Sequence, residues 1–159
     1  MKYISKLVII FVFSILMACH TDKHNLYEHH DESSSFLTIG GEKVDIQKFK
    51  GKYLIVNYWA TWCSPCIKEL PELVQFNKEY SQKAVVIGVN LEDIDKKELD
   101  NFVKKFNINY PNFKADIVYQ LLGLELVGYP TTYIFNSKGS LIKTIQGPVS
   151  SQILKQVIQ

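Results

Sequence analysis

Two short apolar runs limit the folds that this chain can adopt. Residues 53–59 and residues 84–90 are nearly all hydrophobic. Runs of this kind, without alternating polar positions, are typical of strands that are covered on both faces in a parallel sheet. Between them, residues 65–80 carry apolar side chains at the three- and four-residue spacing of an amphipathic helix. A buried strand, a helix and a second buried strand predict a right-handed crossover, and therefore an α/β domain.

The other elements extend this sheet on both sides. The predicted segments are an N-terminal β-hairpin over residues 36–39 and 43–46, a helix over 95–106, an extended segment over 110–114, a helix over 116–122, strands over 131–136 and 141–146, and a final helix that Ser150 or Ser151 caps and that runs through Ile158. This order predicts a central mixed sheet flanked by helices. We expect one domain over residues 36–159, without internal repeats.

The N-terminus has the pattern of a secretory signal. Lysines precede an apolar stretch over residues 7–17, which is shorter than the roughly 18 to 20 residues that span a bilayer. The run at residues 16–19 resembles the bacterial lipoprotein signal. That resemblance implies a signal peptide over residues 1–18 and a diacylated Cys19 as the new N-terminus. The alternative is an uncleaved signal anchor in which Cys19 is incidental. Either interpretation tethers the chain to a membrane, outside the cytoplasm.

Residues 19–35 have no apolar period, so we expect a flexible tether after the lipidated cysteine. All the histidines of the chain lie in this segment: His20, His24, His29 and His30. A histidine tract can bind metal, but a flexible segment offers no fixed coordination geometry, and we expect only adventitious binding. Residues 36–159 contain no histidine, which excludes Cys-His and Ser-His-Asp catalysis and a histidine-ligated metal centre there unless the tether folds back.

The charge composition argues against nucleic-acid binding. The chain has 18 basic and 16 acidic residues, and every basic residue is lysine. The planar guanidinium fork that suits phosphates and guanine edges is therefore missing. The formal net charge of +2 also belongs to the signal peptide, because removing residues 1–18 leaves equal numbers of lysines and acidic residues. We expect no nucleic-acid partner.

Cys63 and Cys66 lie between the first buried strand and the helix that follows it. Two cysteines three residues apart in a first helical turn are close enough to form a disulfide. Unpaired backbone donors and the helix dipole favour a thiolate at the first of them. We therefore expect Cys63 to be the exposed nucleophile and Cys66 the resolving thiol. The alternatives are a purely structural disulfide or half of a metal site.

The segment Trp59-Ala60-Thr61-Trp62-Cys63-Ser64-Pro65-Cys66 resembles the WAxWCxPC signature of the thioredoxin superfamily. Within it, the chain is similar to the TlpA/ResA-like branch of membrane-tethered thiol-disulfide oxidoreductases, which includes cytochrome c maturation proteins. The similarity extends to Lys50-Gly51-Lys52, Asn57, Glu69-Leu70-Pro71 and Gly128-Tyr129-Pro130-Thr131-Thr132. It implies a thioredoxin-like fold over nearly all of residues 36–159.

The resemblance also implies roles for residues outside the cysteine pair. Pro130 matches a cis-proline that lies against the cysteines, and its cis bond leaves the backbone of Tyr129 facing an extended client peptide. The alternative is an ordinary trans turn proline. Trp62 is expected to shield the site and contact substrate. For Trp59 we expect core packing.

Glu69 matches a partly buried glutamate that influences the thiol pKa values. It falls one turn after Cys66, and a desolvated carboxyl there could relay protons. The alternative is a solvated helix glutamate. Asn57 replaces the buried aspartate of cytoplasmic thioredoxin, and a neutral amide cannot take a proton. Glu92 and Asp93 follow the second buried strand, where we expect a solvated loop.

These observations predict an extracytoplasmic, lipid-anchored thiol-disulfide oxidoreductase. We expect a monomer without metal or bound cofactor, whose redox group is the Cys63-Cys66 disulfide. The resemblance favours a reductase of disulfides in secreted client proteins, including apocytochrome c, that a membrane electron donor recharges. Alternatives are a thiol oxidase or isomerase, a copper or haem carrier that uses the thiols and tether histidines, and a redox-inactive binding module.

Overall fold

A five-stranded sheet with helices on both faces forms the centre of the fold in the computed structural model, which describes residues 35–159. The elements in chain order are β1 (Ser35–Leu37), β2 (Lys43–Asp45), a 3-10 helix (Ile46–Phe49), β3 (Tyr53–Tyr58), α1 (Ser64–Tyr80), β4 (Ala84–Asn90), α2 (Lys96–Phe106), β5 (Asn112–Lys114), α3 (Ala115–Leu122), β6 (Thr131–Phe135), β7 (Leu141–Gln146) and α4 (Ser151–Val157).

The strand order in the main sheet is β5-β4-β3-β6-β7. β3 pairs in parallel with β4, and β4 in parallel with β5. β6 pairs antiparallel with both β3 and β7. β1 and β2 form a separate two-stranded antiparallel sheet. The predicted mixed sheet and N-terminal hairpin are confirmed.

β3 contributes side chains to the core on both faces of the sheet. Leu54 and Val56 join a cluster that includes the 3-10 helix and α3. Ile55 points to the opposite face, where it joins a cluster that includes Leu70 and Leu73 of α1. This alternation follows from the two-residue period of a strand. Because both faces are covered, β3 has no solvent-facing side and reads as a continuous apolar run.

Side-chain caps set the beginning of α2 and α4. The Asp95 carboxylate accepts a hydrogen bond from the Glu98 N–H at the start of α2, and the Ser150 hydroxyl accepts one from the Ile153 N–H at the start of α4. Each cap satisfies one of the backbone donors that a helix leaves unpaired in its first turn. Ser150, rather than Ser151, therefore caps the final helix.

The differences from the predicted elements lie at their ends. Ser35 is already part of β1, and β3 ends at Tyr58. The extended segment predicted over residues 110–114 narrows to Asn112–Lys114. The 3-10 helix after β2 has no counterpart among the predicted elements. Its N-terminal cap is the Asp45 side chain, which accepts a hydrogen bond from the Gln47 N–H, and so short a turn has too little periodicity to be recognised.

Candidate active site

The segment between β3 and α1 is anchored by Trp59. Its indole is fully buried, stacks on Phe102 at 5.0 Å between ring centroids, and donates a 3.0 Å hydrogen bond from Nε1 to Asn112 Oδ1. Gly88 permits this arrangement, because a Cβ at that position would collide with the Asn112 side chain and with Trp59 Nε1. The expected core packing of Trp59 is confirmed, and it fixes where the chain leaves the sheet.

Cys63 is the N-cap of α1 and forms a disulfide with Cys66. Its sulfur also accepts a 3.3 Å hydrogen bond from the Cys66 N–H. That backbone donor and the positive end of the helix dipole stabilise a thiolate at Cys63 once the disulfide opens. Pro65 lies in the first turn, where a missing N–H costs no helical hydrogen bond.

Both sulfur-bearing residues are buried, which differs from the exposed Cys63 expected from the sequence. Cys63 is 4% exposed and Cys66 is fully buried. The two pack with Trp59, Ala60, Ile94 and Leu99 in one apolar cluster. Burial of Cys63 comes from this packing, because Ile94 and Leu99 of the segments after β4 cover the start of α1. Cys63 is still the more accessible of the two.

A second loop meets the cysteine pair from β6. The Tyr129-Pro130 peptide bond is cis, as the resemblance implied. Thr131 lies opposite Tyr58 in the antiparallel register, so Pro130 lies beside the first residues after β3. Tyr129 packs against the cluster that contains both cysteines. This loop and the cysteine turn therefore form adjoining walls of one site.

Trp62 is the most exposed aromatic side chain beside the cysteines, at 66%. Its ring meets Tyr129 edge to face, with 5.2 Å between centroids. Aromatic pairs of this geometry attract each other beyond their buried area. The contact joins the cysteine turn to the cis-proline loop and leaves most of the Trp62 indole facing solvent.

Glu69 is 2% exposed and hydrogen-bonded at both carboxylate oxygens. Oε1 accepts from Asn57 Nδ2 at 2.9 Å, and Oε2 accepts from the Val149 N–H at 2.8 Å. Asn57 Nδ2 also donates to Thr132 Oγ1 at 3.1 Å. The carboxylate thus connects α1 to the central strand β3 and to the segment before α4. A solvated helix glutamate, the alternative considered from the sequence, is ruled out.

Burial raises the pKa of Glu69 from 4.5 to about 7, although the hydrogen bonds from Val149 and Asn57 favour the ionised form. A carboxyl with a pKa near neutral pH can both accept and donate a proton under physiological conditions. It lies one helical turn beyond Cys66. The same helix therefore carries the cysteine pair and a buried carboxyl whose pKa lies near neutral pH.

Glu92 is not the solvated loop residue expected from the sequence. Its Oε2 accepts a 2.8 Å hydrogen bond from the Thr61 N–H, and its Oε1 accepts one of the same length from Thr61 Oγ1. Thr61 is separated from Glu92 by a strand and a helix in sequence, so no local pattern signals this contact. The neighbouring Asp93 is exposed, as expected.

Residues 35–159 contain no group of three or more His, Cys, Asp or Glu side chains able to hold a metal ion. Cys19, the signal segment and the tether histidines lie outside the described residues. No helix within residues 35–159 is long and apolar enough to cross a membrane.

Comparisons with known proteins agree with this geometry. The Redoxin family profile matches residues 32–158. The thioredoxin-like protein YneN of Bacillus subtilis is 33% identical over 128 residues, which cover 77% of this chain and 72% of YneN. The thiol-disulfide oxidoreductase ResA of B. subtilis is 28% identical over 145 residues, covering 89% of this chain and 80% of ResA.

A solved structure shows the same architecture. The crystal structure of StoA from Bacillus subtilis superposes with a TM-score of 0.64 at 30% sequence identity, and the match covers 79% of this chain and 97% of StoA. The chain therefore belongs to the Redoxin family, and it is a thiol-disulfide oxidoreductase of the ResA and StoA type with a thioredoxin-like fold.

Proposed function

We propose that this oxidoreductase is lipid-anchored in the cell envelope, where it reduces disulfides of secreted proteins. The redox function is supported by the position of Cys63, which lies at the N-terminus of α1, forms a disulfide with Cys66 and is flanked by the cis-proline loop. The family implies disulfide-containing substrate proteins. Apocytochrome c is one such client, in line with the resemblance to cytochrome c maturation proteins.

The proposed cycle begins with the reduced enzyme. The Cys63 thiolate attacks one sulfur of the client disulfide, so that a mixed disulfide forms and the other client sulfur leaves as a thiolate. Cys66 then loses its proton and attacks Cys63, which releases the second client thiolate. The client gains two electrons, and the enzyme is left with the Cys63-Cys66 disulfide. A membrane dithiol donor reduces that disulfide and is itself oxidised.

Glu69 is the proposed base for the second step. The Cys66 thiol is buried and has to lose its proton before it can attack, and Glu69 lies one turn away on the same helix. A general base works best when its pKa lies near the pH of the reaction, and the raised pKa of Glu69, about 7, meets this condition at neutral pH. Because Asn57 is neutral, it can orient the Glu69 carboxylate but cannot accept the proton itself.

The client peptide is proposed to bind in extended form along the Tyr129-Pro130 backbone, beside the first residues of β6. Pairing of this kind uses main-chain hydrogen bonds and tolerates varied side chains. Trp62 extends the surface with an exposed aromatic ring. Such a surface suits an oxidoreductase that acts on unfolded clients of different sequence.

The proposed location rests on the sequence of residues 1–35. A signal peptide over residues 1–18, lipid on Cys19 and a polar tether would hold the domain near a membrane, outside the cytoplasm. β1 begins at Ser35, the last residue of the predicted tether. Such a tether allows the site to reach both a membrane electron donor and clients in the envelope.

The Cys66→Ser variant tests the exchange cycle. We expect it to accumulate mixed disulfides with clients through Cys63, because the resolving thiol is missing. Non-reducing gels and mass spectrometry of the adducts measure the effect in cells. The matched control changes Cys63 to Ser as well and should show none of these adducts. Absence of adducts in Cys66→Ser, or equal amounts in the double variant, would contradict the cycle.

The same cells give the direction of the reaction. Rapid thiol trapping of the wild type should find Cys63 and Cys66 mainly as the dithiol, because a reductase is kept reduced by its donor. If the protein is an oxidase, a substantial fraction of the pair should be trapped as the disulfide. If it is an isomerase, blocking the electron supply should leave the redox state of the pair unchanged, because an isomerase ends each cycle as the dithiol. Either pattern would overturn the reductase proposal and leave the oxidoreductase activity itself standing.

Replacing Glu69 by Gln should remove the rise in the rate of client release near pH 7 and leave only the dependence that ionisation of the Cys66 thiol gives at higher pH. In the wild type, the rate rises as pH passes about 7, because Glu69 becomes ionised and can accept the Cys66 proton. Glu69→Gln should be slower by roughly 10²-fold at pH 8, the usual contribution of a positioned base. Stopped-flow release from a mixed disulfide measures both. Glu79→Gln, an exposed carboxylate on the same helix, is the control.

Protein stability separates this effect from misfolding. A carboxyl whose folded pKa lies above its unfolded pKa stabilises the protein below the unfolded value, and that contribution is lost as pH rises from about 4.5 through about 7. Glu69→Gln has no carboxyl to titrate, so this loss of stability between about pH 4.5 and 7 should be absent, although its amide can accept only one of the two hydrogen bonds that Glu69 accepts. An unchanged rate profile in the folded variant would exclude Glu69 as the base.

Radiolabelled palmitate tests the anchor. Cells expressing the wild type should incorporate label into the protein, and Cys19→Ala should abolish it, because the lipid is proposed to attach at Cys19. Cys63→Ala keeps Cys19 and should label normally. Label that survives in Cys19→Ala would refute the lipoprotein proposal.

A further inference from the structure

Glu92 is held in place by the end of β4. Its own N–H donates a 2.6 Å hydrogen bond to Asn90 Oδ1, and Asn90 Nδ2 donates back to Glu92 Oε2 at 2.8 Å. Asn90 is the last residue of β4 and is fully buried. The Glu92 carboxylate is therefore held by the buried end of a strand and not by a free loop.

From this position the carboxylate binds the cysteine turn at two points. Both hydrogen atoms that Thr61 can donate, from its backbone N–H and its hydroxyl, go to the two oxygens of Glu92. Thr61 lies within the turn that the Cys63 N–H closes on the Ala60 carbonyl at 3.2 Å. Two charge-assisted hydrogen bonds fix orientation as well as distance.

The electrostatics agree with an ionised clamp. Burial of the carboxyl opposes ionisation, but hydrogen bonds from the Thr61 backbone, the Asn90 amide and the Thr61 hydroxyl outweigh it and hold the pKa of Glu92 below its ordinary value. The Glu92 charge also adds to burial in raising the pKa of Tyr129. Glu92 thus lies near both walls of the site, the cysteine turn and the cis-proline loop.

We propose that Glu92 is a positioning residue for Cys63: by clamping Thr61 it holds the turn 60–63 in the conformation that keeps Cys63 within reach of Cys66. The inference rests on the thiol-disulfide chemistry of the pair and on neither the reductase direction nor the anchor.

Positioning has a consequence for the chemistry that can be measured. Two thiols held in fixed relative positions have a high effective concentration for forming a disulfide with each other. If one of them becomes more mobile, that effective concentration falls. Without the clamp, the Cys66 thiolate should attack a Cys63 mixed disulfide more slowly, and the enzyme disulfide should be easier to reduce. No contact with the client is involved.

Equilibration with glutathione tests this proposal on the full chain. Reduced and oxidised glutathione are the redox buffer, and thiol trapping with peptide-resolved mass spectrometry measures the Cys63-Cys66 pair separately from Cys19. Glu92→Ala should shift the equilibrium about tenfold toward the dithiol, and Thr61→Val, which removes only the hydroxyl bond, about threefold. Release of glutathione from Cys63 should slow by similar factors.

Matched controls separate positioning from charge. Asp93→Ala removes the same charge from the neighbouring residue, and Thr61→Ser keeps the hydroxyl, so both should stay within about twofold of the wild type. Glu92→Gln keeps an acceptor oxygen and should fall between Glu92→Ala and the wild type. If Glu92→Ala fails to fold, Thr61→Val tests the clamp without any change of charge.

Two results would overturn the proposal. An equal shift in Glu92→Ala and Asp93→Ala, with Thr61→Val unchanged, would assign the effect to charge alone. Lower melting temperatures without any shift in the glutathione equilibrium would assign Glu92 a purely structural role.

Reduction of insulin by the wild type is measured in parallel. Its failure would count against the proposed function and leave the glutathione result valid, since glutathione is not a protein client.

Discussion

The position of β3 in the middle of the sheet determines where the chemistry lies. β3 pairs in parallel with β4 and antiparallel with β6. The carboxyl ends of β3 and β4 and the amino end of β6 are therefore at the same edge. Cys63 follows β3, Glu92 follows β4 and Pro130 precedes β6, so three segments distant in sequence meet there. In open α/β sheets this edge is where functional groups gather.

Burial acts on the site in two different ways. At the cysteine pair it removes water from a disulfide that has no charge to lose, and packing with Trp59 and Leu99 fixes the turn. At Glu69 burial acts on an ionisable group and raises its pKa toward neutrality. The hydrogen bonds from Asn57 and Val149 favour the ionised form but offset this effect only in part. Glu92 is less buried and accepts three hydrogen bonds, so its pKa stays below the ordinary value and it remains ionised.

Local patterns predicted most of the fold. The bounds of β4 and β7 agree with the sequence prediction, because the apolar run of β4 and the Ser137-Lys138-Gly139 turn before β7 are local signals. The cysteine pair was recognisable from spacing, and the cis-proline from the family resemblance. Glu69 was placed on the right helix face by its distance from Cys66, but its partner Val149 lies 80 residues away and could not be read from the sequence.

The contacts that the sequence did not predict depend on which strand ends become neighbours. A strand-helix-strand pattern predicts that β3 and β4 share a sheet, but it does not specify which way the Glu92 side chain turns, so its hydrogen bonds to Thr61 were not predicted. The burial of Cys63 is similar, since it depends on Ile94 and Leu99 from the segments after β4. Periodicity describes what each element buries, whereas the site depends on what the elements bring together.

The relative reactivity of the two thiols tests most directly the central claim, that Cys63 is the attacking nucleophile and Cys66 the resolving thiol. The measurement is limited alkylation of the reduced, folded full chain with iodoacetamide, followed by fragmentation mass spectrometry of the peptide that contains both cysteines, which assigns the label to Cys63 or Cys66. Cys63 should be alkylated at least about tenfold faster, because its thiolate is stabilised at the start of α1 and Cys66 is fully buried. Equal rates, or faster alkylation of Cys66, would contradict the account.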